Sequence, residues 1–254
     1  MRIPRIRGII DRRILLNYRV RPWLLEGVLP PPFRPQVVNG WAIAGICLIR
    51  LIKMRTALFS LPIGARTENA AHRIAVTWES HGRERSGVYI PRRDSNSRLN
   101  TWVGGRLFPG VHHLATFDVR EGNDHYSISM RSQDGHAALD VVGRVSNDWP
   151  ADSVFASLDE ASQFFKQGSL GYSATRRPNE FDGLTLECEN WSCRALAVEK
   201  SWSTFFEQNG ILGSDEAVLD CALLMTNISH SWSNAESMCC DAVADAPRET
   251  LAAR

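Results

Sequence analysis

Lysine is scarce in this chain. Its 254 residues carry only Lys53, Lys166 and Lys200, so the stretch from Met54 to Phe165 contains no amine nucleophile. Several motifs are missing as well. Without HExxH or a CxxC pair there is no zinc signature, and without GxGxxG or GxxxxGK[ST] there is no phosphate cradle. Without GxSxG there is no nucleophile elbow. Neither metal nor cofactor is therefore expected. Charge of one sign is also lacking: the net charge is +1, which gives no long-range field for nucleic acid. The apolar run Trp41–Leu48 continues only to Ile52 across Arg50, short of the roughly 20 residues that cross a bilayer. Pro4, Asp11 and Arg12 interrupt the apolar core that a secretory signal requires. The expected setting is cytoplasmic, with no membrane partner. The six cysteines, Cys47, Cys188, Cys193, Cys221, Cys239 and Cys240, read as buried thiols rather than a disulfide framework. Arg2, Arg5, Arg7, Arg12 and Arg13, interleaved with Ile3, Ile6, Ile9 and Ile14, read as a solvated, packed start to the domain rather than an arm touching a membrane or an anion.

What is present is period-two patterning. Trp41–Ile49 is apolar on both alternations, as in a strand covered on both sides. Ile74, Val76 and Trp78 oppose Arg73, Ala75 and Thr77, and Leu99, Thr101 and Val103 oppose Arg98, Asn100 and Trp102. Turn formers at Gly82, Asp94–Asn96, Gly110, Gly122–Asp124 and Asp134–Gly135 separate further strands at 86–90, 111–119, 125–131 and 136–142. Such a run of short strands usually curls into a barrel or closed sheet. A turn of helix is expected at Trp23–Leu25, ended by Pro30–Pro32. A longer helix is expected from an N-cap at Asp152–Ser153 to Gln167, with more strand at 184–188 and 194–199. One domain over residues 1–235 is expected, with 236–254 frayed.

The richest segment for chemistry is Gly104–Leu114, where two adjacent histidines follow a glycine-rich bend. On a strand, His112 and His113 point to opposite faces, so only one of them can face a given cavity. Which one does so is left open by the pattern. Either could supply an imidazole that titrates near neutral pH. Glu68 could orient that ring as an acid/base partner. Arg106, beside paired glycines, could anchor an anionic group with its guanidinium fork, or form a rim ion pair with Glu68 or Asp118. The Pro91–Asp94 segment offers two further arginines. Trp102, Phe108, Trp41 and Trp78 could line an apolar cavity or simply pack a core. The other histidines, His72, His81, His125, His136 and His230, are expected to face solvent at strand ends or turns.

As a set, Arg12–Val20, Leu29–Phe33, Gly40–Gly45, His72–Val76, Gly87–Asp94 and Gly104–His113 resemble the uncharacterised bacterial YqjF-like proteins, which belong to the acetoacetate-decarboxylase-like superfamily. The resemblance spans about residues 8–232. It implies an α+β, mostly antiparallel β fold: a β-barrel around a central cavity with a few peripheral helices. The superfamily's decarboxylases form a Schiff base through a lysine in a short glycine- and proline-containing segment. Phe108–His113 resembles that segment with histidine where lysine is expected, and Glu68 resembles the acidic residue beside it. An imidazole cannot form the iminium electron sink. The leading expectation is a cavity that binds a small organic anion, with histidine acid/base chemistry at His113 or His112 and Arg106, Trp102 and Phe108 as ligand contacts. The alternatives are a decarboxylase or aldolase-type enzyme acting on a keto acid through Lys53, and a non-catalytic partner-binding module. Homo-oligomerisation is left open.

Overall fold

The computed structural model describes residues 5–56, 66–106, 108–175, 177, 179–211 and 216–239. Residues named above at positions 1–4, at 107 and in the tail from 240 lie outside this set. In chain order the elements are β1 (Ile6–Val20), α1 (Pro22–Glu26), β2 (Arg34–Pro35), β3 (Val37–Val38), β4 (Trp41–Thr56), β5 (Thr67–Ser80) and β6 (Arg83–Ser95). Then come α2 (Arg98–Val103), β7 (His112–Gly122), β8 (His125–Ser132), β9 (Ala138–Ser146), α3 (Leu158–Gln167) and β10 (Leu170–Ala174). β11 (Glu180–Cys188), β12 (Arg194–Ser203), α4 (Thr204–Gln208), β13 (Ala217–Asn234) and β14 (Met238–Cys239) complete the chain.

The strands form one mostly antiparallel sheet. Hydrogen-bonded neighbours run β6–β7–β8–β9–β12–β13–β1–β4–β5, and β5 pairs with β6, so the path returns to its start. β10 and β11 add a second bridge from β6 to β13. Parallel pairing is confined to β6 with β7 and β6 with β10.

The wall formed by β1, β4, β5 and β6 has protein packed on both faces, which explains the unbroken apolar run of β4. Ala44, Ile46 and Leu48 join a cluster with Ile14, Leu16, Ile128, Met130 and Leu139. Ile43, Cys47 and Ile49, pointing the other way, pack with Leu15, Leu223 and the α3 residues Ala161 and Phe165. Each face removes a continuous apolar surface from water, at about 25 cal/mol per Å².

Three local expectations are corrected. Residues 98–103 form a helix rather than a strand: the Ser97 hydroxyl accepts from the Asn100 amide at 3.2 Å, and Leu99 and Trp102 are exposed, so the alternation had no buried face to satisfy. The long helix starts at Leu158, where Ser157 caps the Glu160 amide at 3.2 Å. It does not start at 152–153 because buried Asp220 of β13 accepts both the Val154 amide and the Ser153 hydroxyl, each at 2.8 Å. Part of the expected frayed tail is ordered, since Met238 and Cys239 pair with β11.

Candidate functional site

Four basic pairs sit on four of the five consecutive strands β1, β4, β5, β6 and β7: Arg12–Arg13 on β1, His72–Arg73 on β5, Arg92–Arg93 on β6 and His112–His113 on β7. Adjacent residues on a strand point to opposite faces, so each pair delivers one basic side chain to each side of the wall. The two sides treat their cations differently.

On the first face, carboxylates are plentiful. Glu68 bridges Arg12, at 2.7 Å, and Arg50, and Glu121 bridges the same two arginines, reaching Arg50 at 2.6 Å. Burial pushes the Glu121 carboxyl up, but its hydrogen bond from Arg50 and the charge of Arg12 bring it below its ordinary value. Arg92 binds Asp94 at 2.8 Å and Asp134 at 2.9 Å, and His113 Nδ1 lies 2.8 Å from Asp134. Burial also pushes Asp134 up, yet Ser132, the His136 amide and Arg92 together hold it well below the carboxylate range. His72 is fully buried against Phe205 and Phe206, with Nε2 2.9 Å from the Ser203 hydroxyl. Burial, and then the charge of Arg92, drives its pKa down to about 3.

The second face holds Arg13, Arg73, Arg93 and His112. Among the described residues, none of these three arginines has a carboxylate partner. Arg13 donates to the Cys47 thiol at 3.4 Å and lies over the Trp191 ring. Arg73 donates to the buried Asn17 amide oxygen and lies 4.7 Å from the Phe165 ring centroid, and its Nε is buried with no partner. Arg93 reaches only the Ser173 hydroxyl, at 3.3 Å. Burial lowers Arg73 and Arg93 to about 10, which leaves both charged at neutral pH. Strand register gathers these groups: Leu15, Cys47, Ala71, Arg93 and His112 form one rung across β1, β4, β5, β6 and β7. Gly45 lies opposite Arg73 on the next rung.

Glycines make the approach of His112 and Arg93 possible. A Cβ on Gly104 would collide with His112 Nδ1, and one on Gly110, at φ +80°, would stand 2.9 Å from Arg93 Nε. His112 Nδ1 lies 3.1 Å from the Gly110 carbonyl, which can only accept, so Nδ1 carries the hydrogen and Nε2 keeps its lone pair. Burial and the Arg93 charge press the His112 pKa down to about 3, so the ring is a neutral base at physiological pH. Its neighbour Phe108 also contacts Trp232, which packs on His230.

Of the expected site residues, the structure brings His112 and Phe108 together and leaves the others elsewhere. His113 and Glu68 lie on the carboxylate-rich face, where Asp134 rather than Glu68 is the partner of His113. Arg106 and Trp102 are exposed and bonded to each other, through Arg106 Nη1 to the Trp102 carbonyl at 2.5 Å, and Arg106 pairs with neither Glu68 nor Asp118. Trp78 packs against Phe33 and Tyr172 in the core. His72 and His230 are buried instead of solvent-facing, because β5 begins at Thr67 and β13 runs on to Asn234, which places both rings inside strands. Lys53, Lys166 and Lys200 are all exposed. The residues missed were Arg13 and Arg73. The signal that could have found them is the recurrence of basic pairs on alternating strands.

Among the described residues, no cluster of His, Cys, Asp and Glu could hold a metal, and no helix is long and apolar enough to cross a membrane. A groove of about 990 Å³ opens beside Pro31–Pro35 and Trp78, but Glu26, Arg34, Glu79 and Glu84 are its only charged residues and it lies away from the basic pairs.

No curated protein matches the chain in sequence. In three dimensions it is similar to acetoacetate decarboxylase from Legionella pneumophila subsp. pneumophila str. Philadelphia 1, with a TM-score of 0.60 at 11% identity over 92% of this chain and 88% of that one. The enduracididine biosynthesis enzyme MppR complexed with pyruvate aligns with a TM-score of 0.54 at 12% identity, over 92% of this chain and 89% of that one. An acetoacetate decarboxylase-like enzyme from Sphingomonas wittichii RW1 aligns with a TM-score of 0.52 at 12% identity, over 93% and 92%. At these identities the likeness is one of fold. The family DUF2071, described as "Uncharacterized conserved protein (COG2071)", matches residues 10–223, a span that contains all four basic pairs, and the chain therefore belongs to this uncharacterised family.

Proposed function

We propose that the protein binds a small organic anion on the carboxylate-free face of the wall, with Arg93 as its anchor and the neutral His112 Nε2 as the proton acceptor. The observation that carries this reading is the set of three guanidiniums with no carboxylate partner. A buried charge without a counter-ion costs several kcal/mol, and cores keep such charges chiefly where a ligand supplies the missing partner. Arg13, Arg93 and His112 retain some accessible surface although protein surrounds them closely, as expected of the walls of a recess. Phe108 and Trp232 give that recess an apolar side. The fold neighbour that holds pyruvate supports a keto acid as the ligand class.

A lysine Schiff base finds no support. Activating an amine requires desolvation or a neighbouring charge, and Lys53 is exposed. Partner docking is less well served: among the described residues Leu99 and Trp102 share α2, but the other exposed large apolar residues, Trp23, Val37, Val111 and Val218, lie on separate segments.

Titration calorimetry with pyruvate tests the reading. Binding is expected in the wild type and is expected to fall by about 100-fold or more in Arg93→Leu, the loss typical of a desolvated charge-assisted bond. Without ligand, the same variant is expected to be about 1–2 kcal/mol more stable to urea, because it removes an uncompensated buried cation. Borohydride treatment with labelled pyruvate is expected to leave the chain unmodified. A lysine adduct, or binding unaffected by Arg93→Leu, would overturn the proposal.

A further inference from the structure

Building on this anion site, we infer that its ligand is a dianion, a diacid with about four or five carbons whose second carboxylate meets Arg73 and Arg13 while the first meets Arg93. One carboxylate can neutralise one guanidinium, which would leave two cations in the same desolvated space. The orphaned donor lies on the far side of the site: Arg73 Nε is buried without a partner, and Arg73 is only 5% exposed.

Sheet geometry separates the two anchoring points. Arg93 lies on β6 and Cys47, which accepts from Arg13, on β4, two strands or about 10 Å away along the backbone. Between them the wall carries only the small side chain of Ala71, and a larger residue there would fill the floor that a connecting carbon chain crosses. Burial pushes the Cys188 and Cys193 thiols near Arg13 up, so they do not discharge it.

The test compares matched pairs by titration calorimetry of the intact protein at constant ionic strength: acetate against succinate, and pyruvate against 2-oxoglutarate. The diacid of each pair is expected to bind at least about tenfold tighter, the gain from one further charge-assisted contact in a desolvated site. Arg73→Gln is expected to erase that preference, bringing the ratio of diacid to monoacid affinity to within about twofold of one. Arg13→Gln serves as a second variant, and the wild-type comparison stands without either. Equal affinity for mono- and diacids, or a diacid preference that survives in both variants, overturns this inference and leaves the anion site intact. If neither class binds, the site itself is wrong and the inference falls with it.

Discussion

Acidification from pH 7 to pH 5 is expected to remove most of the stability of this fold. Burial holds His72 and His112 down to about 3 and His230 to about 4, with the charges of Arg92, Arg93 and Arg13 respectively adding to the effect. In the unfolded chain these rings take up a proton near 6.5. Their folded pKa values are depressed, so the unfolded state binds more protons throughout the window between. Their contribution is complete above about pH 6.5 and is lost progressively as the pH falls towards 4 and then 3. Each ring withdraws up to about 1.4 kcal/mol per pH unit, half that near pH 6.5, so together they remove about 5 kcal/mol between pH 6.5 and pH 5, against a usual total of 5–15 kcal/mol. Urea melts at pH 7.5, 6 and 5 should show the midpoint collapsing. His72→Gln, which cannot titrate, should flatten the slope by about a third even though it starts from a lower stability. A wild-type loss under about 1 kcal/mol over this range would mean that the rings are hydrated or paired with acids. Below pH 4 the depressed Glu121 and Asp134 carboxyls work in the same direction, since their contribution is present above the unfolded carboxylate range and disappears as they protonate.

Glu68→Ala is expected to cost about 3–5 kcal/mol, the usual penalty for breaking a buried ion pair by removing one partner. Arg12 and Arg50 are only 2% and 3% exposed and would be left sharing Glu121, with Asp11 3.4 Å from Arg50. Part of this cost comes from stranded donors, because Arg12 Nη2 and Arg50 Nε would lose Glu68 on side chains whose Arg12 Nε and Arg50 Nη2 already lack partners. Removing a charge from each sign, as in Arg12→Met with Glu68→Met, is expected to restore much of the loss, since apolar packing replaces the pair while Arg50 and Glu121 remain bonded. The readout is the urea midpoint at an unchanged m-value. A single-variant cost below about 1 kcal/mol would show that the quartet is solvated. Pyruvate affinity separates structure from function here: it should survive Glu68→Ala in the folded fraction, because Glu68 faces away from Arg93.

Much of the fold was legible in the sequence. The doubly apolar run at Trp41–Ile49, the alternation at Ile74–Trp78 and the turn-bounded strands from 111 to 142 are local signals, and each became a strand. In the Gly104–Leu114 segment the rings of His112 and Phe108 meet. Where the reading failed, a distant residue had intervened. Asp220 captured the Ser153 hydroxyl and the Val154 amide from across the chain, at the place where a helix start was expected, and Asp134, from another hairpin, displaced Glu68 as the partner of His113. Arg106 looked like an anchor because glycines precede it, but its own neighbour Trp102 holds it in solvent.

By itself the sequence determined that strands would form, where they would turn, that any imidazole pair would be split between two faces, and that amine chemistry would be scarce. Only the tertiary structure decided which face receives carboxylates. Period two assigns Arg12 and Arg13 to opposite sides, but Glu68 and Glu121 approach one side only, from strands 56 and 109 residues along the chain. Charge compensation is a short-range property of groups within about 4 Å, and proximity of that kind between remote segments is set by closure of the sheet rather than by any local pattern.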